Sequence, residues 1–150
     1  MKLRAPTRDE LPALTDLCIR SKAHWGYNSA FLAQCRAELT LTSDELKKTK
    51  VAVAEDDLGR ILGVAQVIQE GADAWVEKLF IDPEHMGEGA GRFLYGWCVR
   101  TARDVGAGRL IIEADPDAVG FYARMGAVRQ GDVPSGSIPG RRLPRLVQRL

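Results

Sequence analysis

Three glycines spaced two apart, Gly87, Gly89 and Gly91, separate an apolar strand from an apolar helix. The stretch reads Leu79-Phe80-Ile81-Asp82-Pro83-Glu84-His85-Met86-Gly87-Glu88-Gly89-Ala90-Gly91-Arg92-Phe93-Leu94. Glycine lets a backbone come close to a ligand with its N–H groups turned outward. A helix that begins there adds unpaired N–H groups and the positive end of its dipole. Together these make an anion site suited to a phosphate or pyrophosphate. Two phosphate-binding patterns fail on residue type or spacing. The nucleotide triphosphatase loop ends in Lys followed by Ser or Thr, whereas here Arg92 and Phe93 follow Gly91. The dinucleotide fingerprint needs Gly-x-Gly-x-x-Gly after the first strand of the fold; this turn is Gly-x-Gly-x-Gly and follows several strands. A turn with no ligand stays open as the bland alternative, at the cost in backbone entropy of three glycines in one turn.

The elements that must position this turn can be read from periodicity. Lys2 to Ala5 predicts an edge strand. Thr7-Arg8-Asp9-Glu10 has the form of a capping box, followed by a helical stripe of Leu11, Leu14, Leu17 and Cys18 running to about Lys22. After the break His24-Trp25-Gly26-Tyr27, helices are expected over Ala30 to Glu38 and, briefly, from Thr42 to Lys48. The pattern then changes to strands at Val51–Ala54, Ile61–Gln69 and Ala74–Ile81, separated by turns at Asp56–Gly59 and Gly71–Asp73. The clearest helix runs from Gly91 to Val105, with Phe93, Leu94, Trp97, Cys98, Thr101, Ala102 and Val105 on one face. A strand at Arg109–Ala114, a helix at Asp117–Met125, a strand from Val128, a loop over Gly131–Gly140 and a last strand at Leu143–Leu150 complete the chain. This order predicts an α/β (α+β) fold. Its mixed, mostly antiparallel sheet has six or seven strands and helices on both faces, and the strands flanking the long helix run parallel.

The 150 residues are read as one domain, 1–150. A formal net charge of +1 gives no global field that would favour nucleic acid or a membrane, so neither is expected as a partner. No apolar run is long enough to span a bilayer, and the first residues lack the apolar stretch of a secretion signal. Three cysteines, Cys18, Cys35 and Cys98, have no metal or redox spacing. The expectation is therefore no metal and a reducing, cytoplasmic setting. Cys18 and Cys98 are expected to act as small core hydrophobes.

Two segments together resemble one family. The strand, the Asp-Pro-Glu bend and the glycine turn resemble the acyl-CoA signature of the GNAT superfamily of N-acetyltransferases, Gln/Arg-x-x-Gly-x-Gly/Ala. Met86-Gly87-Glu88-Gly89-Ala90-Gly91 occupies it, with Met86 where Gln or Arg is usual. Asp115-Pro116-Asp117-Ala118-Val119-Gly120-Phe121-Tyr122-Ala123-Arg124-Met125-Gly126-Ala127 resembles the family's Asn-x-x-Ala-x-x-Phe-Tyr-x-x-x-Gly-Phe segment, with Asp115 and Ala127 as departures. The order of elements along the chain is similar as well.

The resemblance implies acetyl-CoA as cofactor and direct transfer of its acetyl group to a primary amine of a small molecule, amino acid or peptide. It implies that N–H groups from Gly87 through Glu88, Gly89, Ala90 and Gly91 to Arg92 hold the pyrophosphate, beside Met86 and Phe121. It further implies that Leu79, Phe80 and Ile81 pair with the pantetheine arm, on a strand that splays from its parallel neighbour. Tyr122 stands where a tyrosine serves as general acid to the leaving thiolate; packing beside Phe121 as a core aromatic is its other reading. Glu77 is the candidate base, or else a solvent-facing strand residue, with Asp73 as a looser alternative. Simple alternation places Trp75, Glu77 and Leu79 on one face and Val76, Lys78 and Phe80 on the other. His24, Trp25 and Tyr27 are expected at the acceptor site, and Ser137 and Arg141 in the loop that closes over it. His85 is expected at the surface. Many relatives pair, which allows a homodimer. A non-catalytic acyl-CoA sensor and an interaction domain without cofactor both remain open.

Overall fold

The computed structural model describes residues 1–150. Its elements are β1 (Lys2–Arg4), α1 (Leu11–Ala23), α2 (Ser29–Leu39), α3 (Ser43–Lys48), β2 (Lys50–Glu55), β3 (Ile61–Glu70), β4 (Asp73–Ile81), α4 (Ala90–Asp104), β5 (Arg109–Glu113), α5 (Val119–Arg124), β6 (Val128–Pro134) and β7 (Arg142–Arg149). Short 3-10 turns precede α1, α4 and α5. All strands join one sheet in the order β1-β2-β3-β4-β5-β7-β6. Every pairing is antiparallel except β4 with β5. The crossover helix between those two parallel strands is α4, whose buried stripe is Ala90, Leu94, Tyr95, Cys98 and Ala102.

The two faces of the sheet carry separate cores. On one, α4 and α5 pack over Ala65, Val67, Leu110 and Ile112; on the other, α1 and α2 cover Val53 and Val64. Cys18, Cys35 and Cys98 are all buried. The loop expected from Gly131 begins only after Pro134, because β6 continues past a bulge between Arg129 and Asp132.

Two irregularities in β4 shape the molecule. First, the parallel pairing with β5 covers only Asp73, Ala74 and Trp75, opposite Arg109, Leu110 and Ile111. Beyond Trp75 the strands diverge, β5 staying with β7 while β4 stays with β3. This is the expected splay, and it leaves one edge of β4 from Val76 to Ile81 without a strand partner. Second, Val76 pairs with Val67 and Lys78 with Gln66, so Glu77 is an extra, bulged residue. The bulge reverses the alternation beyond it. Val76, Leu79 and Ile81 face the α4 core, whereas Phe80 packs on the α1–α2 core. The simple alternation is therefore corrected: Leu79 does not share a face with Trp75, and Glu77 sits where the pleat is broken.

Candidate active site

The glycine turn is held at both ends. Asp82 caps the 3-10 turn by accepting the Glu84 N–H at 3.0 Å, and its own N–H donates to Leu62 O at 2.8 Å. Arg20 on α1 reaches the same carboxylate at 3.0 Å. Gly87 and Gly89 adopt φ of +82° and +92°, a region that side-chain-bearing residues avoid. Gly91 is needed for a different reason: a Cβ there would lie 3.2 Å from Phe121 Cε1. Phe93 is the first residue whose N–H bonds back into the helix, to Gly89 O at 3.1 Å, and the N–H groups of Gly87 to Arg92 have no backbone acceptor. That row of free donors at the head of a 15-residue helix is an anion cradle made of backbone. Arg92, exposed, lies on the wall of the same cleft. The Glu88 carboxylate is turned aside to His85 Nδ1 at 2.8 Å and leaves the wall. His85, expected at the surface, is instead half-buried and lines the cleft.

The cleft is a cavity of about 710 Å³ occupying the splay between β4 and β5. Its walls include Leu79, Phe80 and Ile81 from the free edge, Met86, Gly87, Gly89, Ala90 and Gly91 from the turn, and Phe121 and Tyr122 from α5. Glu77 and Trp25 line its other end. One cavity thus joins the anion cradle, an unpartnered strand edge, a phenol and a carboxylate.

Tyr122 is only 6% exposed, with its ring edge-on to Phe121 and Tyr95 at 5.1 and 5.7 Å. Its hydroxyl has no hydrogen-bond partner in the protein. Burial pushes its pKa well above the ordinary phenol value, so it remains a protonated donor throughout the neutral range. The packing and the open hydroxyl coexist, because the ring belongs to the core and the oxygen to the cavity. Glu77 is exposed toward the cleft, yet surrounding protein raises its carboxyl. Burial contributes most, Lys78 opposes it, and the charges of Glu38, Glu45 and Glu113 add to it. A raised carboxylate is a stronger base than a free one.

Most of the residues expected at the acceptor end are engaged elsewhere. The Tyr27 hydroxyl donates to Asp115 Oδ2 at 2.7 Å, and Arg141 Nη2 donates to the Tyr27 oxygen at 2.7 Å. Lys22 Nζ stands 3.5 Å from the same Asp115 oxygen. Arg141 also lies over the Phe31 ring, at 4.9 Å. Tyr27 and Arg141 therefore form a latch that fastens the β6–β7 loop to α2 and to the end of β5, rather than a free surface for substrate. Burial would raise the Asp115 carboxyl, but the Tyr27 hydroxyl, the Asp117 N–H, Lys22 and Arg141 outweigh it and hold it below the usual range. Ser137 Oγ sits 3.7 Å from Cys35 Sγ, and His24 is an exposed ring edge-on to Trp25 at 5.5 Å. Neither Ser137 nor His24 lines the cavity. Asp73, the looser base candidate, pairs with Arg109 at 2.8 Å at the far end of β4.

Several wall residues had no motif to announce them. Lys78 is 4% exposed; its ammonium donates to Gln66 Oε1 at 2.9 Å and to Glu45 Oε2 at 3.3 Å, and Gln66 in turn donates to Glu45 at 2.7 Å. The one available signal was a lysine between Glu77 and the apolar run Leu79-Phe80-Ile81. Glu38, Trp75, Glu113 and Gly136 complete that end of the wall.

Comparisons with known proteins agree with this fold. A profile described as the acetyltransferase (GNAT) family matches residues 18–127. An uncharacterised N-acetyltransferase, ycf52, of Porphyra purpurea is 24% identical over 103 residues, a match spanning 61% of this chain and 59% of that protein's length. Among solved structures, a GCN5-related N-acetyltransferase from Rhodopseudomonas palustris superposes with a TM-score of 0.81 at 20% identity, over 99% of this chain and 95% of that one. The PaiA N-acetyltransferase of Thermoplasma acidophilum, solved in complex with coenzyme A, gives 0.79 at 14% identity over 99% and 98%. No helix here is long and apolar enough to cross a membrane. With well over half of its length matched by that profile, and with a fold and cleft to suit, the chain belongs to the acetyltransferase (GNAT) family.

Proposed function

We propose that the protein transfers an acetyl group from acetyl-CoA to a primary amine by direct attack in a ternary complex. The observation that carries this reading is the single cavity in which the free N–H groups of Gly87 to Arg92, the unpartnered edge of β4 and the Tyr122 hydroxyl meet. Acetyl-CoA supplies an activated acyl group as a thioester. The turn from Met86 to Arg92 fits its pyrophosphate, with Arg92 adding charge. Leu79, Phe80 and Ile81 offer backbone groups to the amide-bearing arm, as a sheet edge does to an added strand. Phe121 packs over Gly91 and fixes the depth of the turn.

Glu77 accepts a proton from the attacking nitrogen, directly or through one water. As the N–C bond forms and the C–S bond breaks, the Tyr122 hydroxyl donates its proton to the departing sulfur. Free thiol and amide result, and the proton taken by Glu77 returns to Tyr122 through solvent. Holding both reactants in one cleft supplies the orientation such a reaction needs. The test is release of free thiol from acetyl-CoA across a panel of amines. Amine-dependent turnover that collapses in Tyr122→Phe, with CoA affinity retained, supports the reading. CoA binding without turnover on any amine would instead favour the sensor alternative.

A further inference from the structure

One buried charge beside the cleft has no part in the transfer chemistry. Lys78 is 4% exposed and Gln66 0%. Lys78 Nζ donates to Gln66 Oε1 at 2.9 Å and to Glu45 Oε2 at 3.3 Å. Gln66 Nε2 donates to the same Glu45 oxygen at 2.7 Å and to Thr49 Oγ1 at 3.1 Å. Glu45 is held in turn, its N–H donating to Thr42 Oγ1 at 3.3 Å at the start of α3. An ammonium this far from water is costly unless its partners are in place, so Lys78 and Gln66 must face the same side of the sheet.

That requirement bears on register. Leaving the β3–β4 turn, Val67 pairs with Val76; after the bulge, Gln66 pairs with Lys78, Ala65 with Leu79 and Val64 with Phe80. Without the bulge the pairs beyond Val76 would slip by one, to Gln66 with Glu77, Ala65 with Lys78 and Val64 with Leu79. Leu79, Phe80 and Ile81 are apolar in succession, so either register buries an apolar residue on each face. Hydrophobic burial therefore does not choose between them. Lys78 does: in the slipped register its ammonium would enter the α4 core beside Ala65, on the face opposite Gln66. In the bulged register Glu77 and Lys78, adjacent in sequence, both line the cleft. There the Lys78 charge opposes the rise that burial, Glu38, Glu45 and Glu113 impose on the Glu77 carboxyl.

We propose that Lys78 is a positioning residue: through Gln66 and Glu45 it selects the bulged register of β4 and so presents Glu77 to the cleft. The link to turnover rests on the reading of Glu77 as base; the choice of register does not.

The experiment replaces Lys78 with Met, which is unbranched, uncharged and can be buried on either face. Glu45, whose side chain is 30% exposed, stays solvated when its partner is gone. Cross-strand NOEs read the register directly. The wild type should place Gln66 opposite Lys78, and Lys78→Met should place it opposite Glu77 without lowering Tm. In the same variant kcat for amine acetylation should fall by about 10²-fold, the cost of a misplaced catalytic group. Lys78→Arg, which keeps the charge, should keep the bulge and most of the turnover. The wild-type register in Lys78→Met, a slipped register in Lys78→Arg, or a slipped register at full turnover overturns the proposal. No amine turnover by the wild type, with the register still shifting in Lys78→Met, overturns the amine-transfer reading alone.

Discussion

From Ile81 to Arg92 a single continuous stretch makes an anion cradle almost entirely from backbone. Around Glu77, by contrast, the walls are side chains brought together from α1, α2, β4, β5 and the β6–β7 loop. The two ends of the cleft differ in what sets their chemistry. At the glycine turn the determinants are conformational: positive φ at Gly87 and Gly89, and the close approach of Phe121 to Gly91. At the acceptor end they are electrostatic, resting on which charges have been neutralised by neighbours and which have not. A backbone site tolerates change in side-chain identity, so Met86 can stand where Gln or Arg is usual. A side-chain site can be retuned by a single substitution.

The largest effect is expected where the two ends meet. Tyr122→Phe should lower turnover by roughly 10²–10⁴-fold, the range for loss of a general acid, while CoA affinity stays within about twofold. Single-turnover kinetics with a CoA titration would check this, and unchanged turnover would remove Tyr122 from the mechanism. Next, Gly91→Val places branched carbons against Phe121 at the mouth of the cradle and should weaken CoA binding by at least about tenfold, some 1.4 kcal/mol. Met86→Ala should cost less than that; the reverse order would show that the cradle depends on a side chain.

At the acceptor end, Glu77 must be ionised to act, so activity falls as pH drops through its raised pKa. The acidic limb of the kcat/KM profile should therefore lie above the ordinary carboxylate range and vanish in Glu77→Gln. An unaltered limb in that variant would clear Glu77 of the base role. The last effect concerns the latch and bears on stability, with the least expected on turnover. Asp115 has a depressed pKa, so its contribution to stability is complete above the ordinary carboxylate range and is lost as pH falls through the lower, folded value. Asp115→Asn should lower stability at neutral pH by about 1–3 kcal/mol, as expected for a buried acceptor losing charge-assisted partners. It should also flatten the acid side of the Tm–pH curve, and a curve parallel to wild type would show that the latch is idle.

The same contrast governs how much could be read from residues alone. The order of elements and the parallel pair follow from hydrophobic periodicity and turn residues, which act locally along the chain, whereas the splay was expected only from the family resemblance. The cradle was legible for the same reason, since its glycines and helix start are neighbours in sequence. The Glu77 bulge was not, because a register shift depends on the facing strand, and without it Trp75, Glu77 and Leu79 look like one face. Tyr27, Ser137 and Arg141 were expected to meet an acceptor, and the fold instead engages each of them with the protein itself. Their partners, Asp115 and Cys35, are remote in sequence, and no local pattern shows that a polar group is already satisfied. Glu38 went unnoticed because it is an exposed glutamate in the last turn of α2, and only the fold brings it to the cleft wall.

The central claim is that a backbone cradle in the splay of β4 and β5 holds acetyl-CoA for transfer. Calorimetric titration of the protein and its Gly91→Val variant with acetyl-CoA tests it most directly. The account predicts saturable one-to-one binding to the wild type, at least about tenfold weaker in the variant, with about 2.7 kcal/mol of added stability at 100 times Kd. No binding to the wild type, or equal affinity in the two proteins, would contradict it.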